Sequence, residues 1–192
     1  MKADIKSVYS PARLAGQVAR LGRQISRDYD GRTLDVLAML EDSFIFAADL
    51  VRHIKCPVVC HFVRAESHMV RVGSAELKEI FFTRPPDLRG RDVLLVDAVL
   101  DTGVTLDFLA KRIHDAHPRS VRLAVLFDRP ESRRVDMRPD YVGFPAASNY
   151  LVGYGLPSVT GLYRNLPFVG APNGARGKAS KQKRKAAARR KK

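Results

Sequence analysis

The sequence predicts an α/β fold, a single domain whose mainly parallel sheet is flanked by helices, and three observations predict it. Apolar runs of strand length alternate with segments whose apolar residues recur at helical spacing, the pattern of strands joined by covering helices. The strand-like runs are nearly continuous in apolar residues, as in strands buried on both faces. One of them, Val93 to Leu106, runs from Val-Leu-Leu-Val into carboxylates and an Asp-Thr-Gly-x-Thr turn ahead of a helical segment.

Ser10-Pro11 supplies an N-cap and a first-turn proline, and Leu14, Val18, Leu21 and Ile25 recur on one face of a helix that Asp30-Gly31 ends. Leu34 to Leu40 reads as a buried strand. Ser43 is placed to cap the next helix, whose Phe44, Ala47, Val51 and Ile54 are expected to face inward. Strands follow near Pro57 to Val63 and Asp92 to Asp97, then a helix from Thr105 to about His114 and a strand at Val121 to Phe127. Short strands near Tyr141 to Phe144 and Leu151 to Gly153 complete the pattern. In parallel sheets ligands bind beyond the carboxyl ends of the strands, where Glu41-Asp42, Asp97 to Thr105 and Arg129 fall.

A small-residue loop between an apolar strand and a helix aims backbone N–H groups and threonine hydroxyls at one point, where an anion can rest on the helix N-terminus. Asp101, Thr102, Gly103, Val104 and Thr105 form that loop, and Asp97 and Asp101 flank the point where a sugar would follow a phosphate. The alternative is an ordinary junction in which Asp101 or Thr105 caps the helix.

At 192 residues the chain can bury a core in one domain without disulfides. Cys56 and Cys60 fall on one face of a strand. With only His61 nearby and no second cysteine pair, two reduced core thiols are expected rather than a zinc site. The N-terminus shows no apolar signal region and no apolar stretch reaches membrane-spanning length, so a soluble, cytoplasmic protein with no membrane partner is expected.

The formal net charge is +14, yet residues 171–192 hold ten Lys or Arg and no acid, leaving 24 basic against 20 acidic residues in 1–170. From Asn173 onward the only apolar side chains are alanines, too few to offset ordering entropy, so this stretch is expected to be disordered. The domain is therefore placed at 1–170 and a basic tail at 171–192. One reading of the tail is weak, non-specific nucleic-acid contact through residues 173–192; the other is a solubilising segment.

The Val93 to Leu106 run resembles the phosphoribosyl-diphosphate signature of type I phosphoribosyltransferases, and the flanking segments resemble the hypoxanthine-guanine branch in order and spacing. Leu40-Glu-Asp-Ser-Phe-Ile-Phe-Ala-Ala-Asp-Leu looks like the family's pyrophosphate loop and following helix, and His61 to His68 like the strand leading into its mobile lid. Phe127-Asp-Arg-Pro-Glu-Ser-Arg-Arg, Pro139-Asp-Tyr-Val-Gly-Phe, Val152-Gly-Tyr-Gly-Leu and Tyr163-Arg-Asn-Leu-Pro look like the base-binding half. The resemblance spans residues 8–170.

It implies the type I phosphoribosyltransferase fold with a small base-binding subregion. It also implies transfer of ribose 5-phosphate from phosphoribosyl diphosphate to hypoxanthine or guanine in purine salvage, with Mg2+ as cofactor and a homo-oligomeric state. Residue by residue, it implies that Asp101, Thr102, Gly103, Val104 and Thr105 bind the 5'-phosphate and that Asp101 is the acid-base residue. Asp97 would serve the ribose and the metal, with Glu41 a further metal candidate. Arg129, Tyr150 and Leu151 would serve the purine, and Glu41, Asp42 and Arg164 the pyrophosphate. The alternatives are a pair between Arg129 and Glu131 or Asp128, and a core aromatic at Tyr150.

The chain departs from the family's pattern at the leaving-group end. Glu41-Asp42 replaces Lys-Gly, and Ala98 replaces one of two ribose-diol carboxylates. Val104 replaces a lysine, Pro157 an aspartate expected to bind magnesium, and Ser67-His68 the lid's Ser-Tyr. At ~5 Å and an effective dielectric near 20, each like-charge pair costs about 3 kcal/mol, which opposes an anionic leaving group beside Glu41-Asp42. Two readings follow: a divergent purine phosphoribosyltransferase, or a catalytically weak or inactive relative that binds a purine nucleotide and reaches nucleic acid or protein through its basic tail.

Overall fold

Side chains alternate between two apolar layers along the central strands, and that alternation organises the molecule. The computed structural model describes residues 5–69, 76–82, 86–146 and 150–172. In chain order the elements are β1 (Ile5–Tyr9), α1 (Pro11–Asp28), β2 (Leu34–Leu40), α2 (Phe44–Arg52), β3 (Val58–Met69) and β4 (Glu76–Phe82). They continue with β5 (Asp92–Leu100), α3 (Val104–His114), β6 (Ser120–Asp128), a 3-10 turn (Pro130–Ser132), β7 (Tyr141–Pro145) and β8 (Val169–Pro172). The main sheet has the order β4-β3-β2-β5-β6-β7. Five of its strands are parallel, and β4 is added antiparallel to β3.

The chain moves outward from β2 to β3 and β4, then returns to place β5 on the other side of β2. This reversal opens a crevice between the carboxyl ends of β2 and β5, the position where open α/β sheets take ligands. One face of the sheet sends Leu34, Val36, Leu94, Val96 and Leu126 under α1, which contributes Leu14, Val18, Leu21 and Ile25, and under Phe46 and Leu50 of α2. The other face packs Leu37, Leu95, Leu123 and Val125 against Leu106, Leu109 and Ile113 of α3. Each such fully buried aliphatic side chain contributes about 1.5 to 3 kcal/mol, so the crevice stands on two well-filled layers.

Helix α1 forms as its sequence dictates: Ser10 has extended dihedrals, its Oγ accepts from the Arg13 N–H at 3.3 Å, and Pro11 occupies the first turn. Short β1 and β8 pair antiparallel outside the main sheet and were not expected from the sequence. Tyr9 locks them down by packing on Phe127 and Phe144 at 4.9 and 4.8 Å between ring centroids and donating to the Pro145 carbonyl at 2.9 Å. The packed chain therefore runs through β8, two residues past the expected boundary at 170. Residues 173–192, and with them the expected disorder and partner of the tail, lie outside the described residues.

Several local expectations are corrected. Ser43 does not cap α2: its backbone is already helical, and its hydroxyl donates back to the Met39 carbonyl. Of the residues expected to face inward from α2, Ala47 and, just past the helix, Ile54 are buried and Val51 is half-buried against the core, but Phe44 is exposed and Phe46 and Leu50 are buried in addition. Neither Asp101 nor Thr105 caps α3; Gly103 holds that position at φ 78. Both cysteines are free thiols; Cys56, just before β3, is half-buried against the core, but Cys60 is exposed and is not a core group. No strand forms over Leu151 to Gly153, where isolated bridges join Val152 to Gly170 and Gly153 to Leu156. The strand of His61 to His68 is the end of β3, in a hairpin with β4 whose connecting residues lie outside those described.

Candidate functional site

Strand β5 delivers the central part of the site. After Leu100 the chain turns through Asp101 and Thr102 and enters α3 from Gly103, whose positive φ is costly for any side chain. A Cβ there would also meet Val135 Cγ2 at 2.9 Å. The turn is gripped from behind. The Arg133 guanidinium donates to the Asp101 carbonyl at 2.6 Å and pairs with Asp128, and the Arg134 N–H donates to the Thr102 carbonyl at 2.9 Å. Among the described residues, no backbone carbonyl accepts from the N–H groups of Thr102 to Leu106. A pre-shaped row of donors at a helix N-terminus suits a phosphate.

These residues share a cleft of about 290 Å³ with the end of β2, lined by Leu40, Glu41, Asp42, Asp97, Thr102 and Thr105 among others. The expected phosphate loop, Asp97 and the Glu41-Asp42 pair are thus brought together. The Leu40–Glu41 peptide bond that opens the acidic loop is cis. Asp97 is mostly buried and accepts from the Ala98 N–H at 2.7 Å. Burial pushes its carboxyl up to about 7, the nearby Asp42 carboxylate adds to the rise, and the Ala98 and Val99 N–H groups oppose it.

Arg164 joins the site from the C-terminal region. Its Nη1 lies 2.7 Å from Asp42 Oδ1 and 2.7 Å from the Gly155 carbonyl, and its Nη2 lies 3.3 Å from Glu41 Oε2. Arg64, on β3 opposite Leu40, approaches Glu41 Oε1 at 4.0 Å. The two carboxylates therefore meet two guanidinium groups, which offset part of their charge inside the protein. Gly155, at φ 96, lets this arrangement close, since a Cβ would lie 2.5 Å from the Asp42 carbonyl oxygen.

Arg129 directly follows β6 and is 9 % exposed; its Nη1 is 3.7 Å from Asp101 Oδ2, while Asp128 pairs with Arg133. Tyr150 is 58 % exposed, which excludes a core aromatic, and Leu151 is buried. Neither lines the cleft between β2 and β5. Val104 begins α3, and Pro157 directly follows Leu156 of the Gly153–Leu156 bridge. Ser67 and His68 lie in β3. Three functional neighbours escaped the sequence reading: Arg64, Arg133 and Gly155. The register of β3 against β2 would have flagged Arg64, and the repeated glycines of Gly153-Tyr-Gly the close approach at 155.

Residues 4–158 match the phosphoribosyl transferase domain family. The hypoxanthine phosphoribosyltransferase of Salmonella typhimurium is 33 % identical over 172 residues, 88 % of this chain and 96 % of that protein. The hypoxanthine-guanine phosphoribosyltransferase of Mycobacterium avium is 34 % identical over 174 residues, 87 % of this chain and 85 % of that protein. Among solved structures, a hypoxanthine-guanine phosphoribosyltransferase from Bacillus anthracis superposes with a TM-score of 0.77 at 36 % identity, covering 88 % of this chain and 99 % of its own. A ternary substrate complex of the Trypanosoma cruzi hypoxanthine phosphoribosyltransferase gives 0.79 at 27 % identity, covering 90 % and 96 %. With likeness over most of its length, this chain belongs to the phosphoribosyltransferase family, in its hypoxanthine-guanine branch.

Proposed function

We propose that this protein transfers ribose 5-phosphate from phosphoribosyl diphosphate to hypoxanthine or guanine, the chemistry of purine salvage. The observation that carries the reading is the single cleft in which the Asp101 to Thr105 turn, Asp97 and the Arg164-bound acidic loop face one another. In the reaction the bond from the sugar's anomeric carbon to the diphosphate oxygen breaks, a bond to a purine nitrogen forms, and the nitrogen's proton passes to a base. The amides and hydroxyls of Thr102 to Thr105 hold the 5'-phosphate, and Asp97 takes the ribose hydroxyls. Asp101 receives the purine proton while Arg129 holds its carboxylate in place. Arg129 donates to the purine's exocyclic oxygen, Tyr150 stacks on the ring and Leu151 reads its edge through the backbone.

Among the described residues no group of three or more His, Cys, Asp or Glu could cage a metal ion. Magnesium needs no such cage, since it commonly keeps several waters and binds through one or two carboxylates plus the substrate's phosphates. Asp97, with Glu41 and Asp42 across the cleft, supplies carboxylates of that kind. Bound there, the ion would neutralise charge on the departing diphosphate.

The second reading, a weak or inactive nucleotide-binding relative, draws no support from the comparisons, whose named relatives are phosphoribosyltransferases. We also infer self-association, to which Phe44 and Phe62, 43 % and 44 % exposed, offer apolar surface. No described helix is long and apolar enough to cross a membrane. The deciding experiment incubates the purified protein with phosphoribosyl diphosphate, Mg2+ and hypoxanthine or guanine and measures the nucleoside monophosphate formed. Product that disappears in Asp101→Asn supports the assignment; no product with either base overturns it.

A further inference from the structure

The acidic loop and Arg164 form a closed ionic unit at one end of the cleft. Arg164 commits N–H donors to Asp42, Glu41 and the Gly155 carbonyl, and Arg64 stands on the outer side of Glu41. The Gly155 N–H in turn donates to the Arg164 carbonyl at 2.9 Å, so the guanidinium is held by its own backbone as well as by the two acids. At the other end of the cleft, the N–H groups of Thr102 to Leu106 are committed to no backbone carbonyl among the described residues. An anion docking on the turn thus displaces no backbone hydrogen bond among the described residues, whereas one reaching the acidic loop meets two carboxylates and two guanidinium groups already engaged with them.

We propose that Glu41 and Asp42 act as internal counter-ions to Arg164 and set the ligand preference of this site, favouring a nucleoside monophosphate over a ligand that places further phosphates against the loop. The inference rests on the proposed function and deepens it. A diphosphate must compete with the carboxylates for Arg164, and it must also approach them. A monophosphate seated on the turn does neither. The preference is therefore written in residues 41 and 42, while the cation a diphosphate would need is present and held back.

The test uses calorimetric titration of the full-length protein with inorganic pyrophosphate and, separately, with inosine monophosphate, both without divalent cations. The proteins are the unaltered chain, Glu41→Gln, Asp42→Asn and the double variant. Removing the carboxylates at unchanged shape frees Arg164, so the ratio of pyrophosphate to inosine monophosphate affinity is expected to rise at least about tenfold in the double variant. Adding Arg164→Gln to that background is expected to remove most of the rise, which separates release of the guanidinium from the smaller effect of lowering the negative charge. An unchanged or lower ratio overturns the proposal, as does a rise that Arg164→Gln leaves undiminished. Glu41 is largely exposed, so Glu41→Gln alone still decides the matter if the double variant fails to fold, with a smaller rise expected and no rise overturning the proposal. If inosine monophosphate binds to none of the proteins, the proposed function fails, and the pyrophosphate titrations still judge the counter-ion role by themselves.

Discussion

Arg129 places its Nη1 3.7 Å from Oδ2 of Asp101, joining the end of β6 to the turn that follows β5. The pair links the group assigned to the purine oxygen with the group assigned to the purine proton. Arg129→Met keeps the apolar bulk in a nearly buried position but removes the donor, and it is expected to lower kcat/KM by about 10²-fold, in line with the loss of one aimed donor. Arg129→Lys keeps the charge without the planar fork and should retain more activity than Arg129→Met. Steady-state kinetics with hypoxanthine check both; equal activity in the unaltered protein and Arg129→Met would remove Arg129 from the purine site.

The turn itself makes a binding prediction. Thr105 lines the cleft in the first turn of α3, and Thr105→Val deletes one hydroxyl at nearly constant volume. Inosine monophosphate affinity should fall by about 1 to 2 kcal/mol. Gly103→Ala acts differently, because strain at φ 78 and the contact with Val135 disturb the whole turn, so both stability and affinity should drop. Titration and thermal melting separate the two variants; unchanged affinity in folded Thr105→Val would move the phosphate elsewhere.

Legibility in the sequence followed the range of the interaction. Helix α1 was readable because Ser10-Pro11 and the spacing of Leu14, Val18, Leu21 and Ile25 are local signals that packing then reinforced. The position of the β5 turn was readable because an apolar strand gives way there to small residues and hydroxyls ahead of a helical pattern. The inward face of α2 was legible at Ala47, Val51 and Ile54 but not at its start, because Phe44-Ile-Phe-Ala-Ala is apolar all round and supplies no polar contrast to choose Phe46 over Phe44. Ser43 was misjudged because a serine before a helix caps it only with extended dihedrals, and tertiary placement gave this one helical dihedrals. The clasp of Arg164 on Glu41 and Asp42 spans more than 120 positions, and β1 meets β8 across almost the whole domain. Pairings of that reach depend on the assembled sheet, and no local pattern announces them.

Asp97 makes stability depend on pH. Its folded carboxyl is pushed up to about 7, whereas the same group in an unfolded chain ionises near ~3.9. Below about pH 4 both states hold the proton and Asp97 adds no pH dependence. Between about pH 4 and 7 only the folded state keeps it, so stability falls as pH rises, and above about 7 the whole penalty is present. Asp97→Asn, whose amide oxygen can still accept from the Ala98 N–H, is expected to be more stable than the unaltered protein at pH 8 by about 2 to 4 kcal/mol and nearly equal to it at pH 4. Urea titrations across this range, without divalent cations, provide the check. Equal stabilities at pH 8 would show that Asp97 is better solvated than its burial indicates.

At the amino ends of the parallel strands, away from the cleft, a buried carboxylate ties three segments together. Asp92 is 2 % exposed; it accepts from Ser120 Oγ at 2.7 Å and Arg119 Nη1 at 3.0 Å, with Arg32 at 3.9 Å. Asp92→Ala leaves the serine hydroxyl without its acceptor and frees two largely exposed arginines. Because water can take up those arginines, the expected cost is about 2 kcal/mol rather than the larger loss of a fully buried pair. Nucleotide affinity in the folded variant should be unchanged. A melt shifted by less than 1 °C would mean that solvent replaces these contacts at no cost.

The basic C-terminal segment carries the last prediction. Ten positive charges without an acid in residues 171–192 contrast with 24 basic and 20 acidic residues in the rest of the chain, so attraction to polyanions is concentrated in that one stretch. Its contacts with nucleic acid would be to phosphates, because it has alanines but no aromatic side chains to stack on bases. Binding to single-stranded RNA should therefore be insensitive to sequence and should weaken on the order of 10³-fold between about 50 and 200 mM salt, as released counter-ions lose their entropic advantage. Deleting residues 173–192 should remove this binding while leaving the melting temperature and inosine monophosphate affinity unchanged, since the described packing ends with β8 at Pro172. Fluorescence anisotropy with a labelled homopolymer at several salt concentrations measures the slope. A lowered melting temperature after truncation would mean that the segment packs on the domain, and salt-independent binding would mean that something other than phosphate attraction holds the RNA.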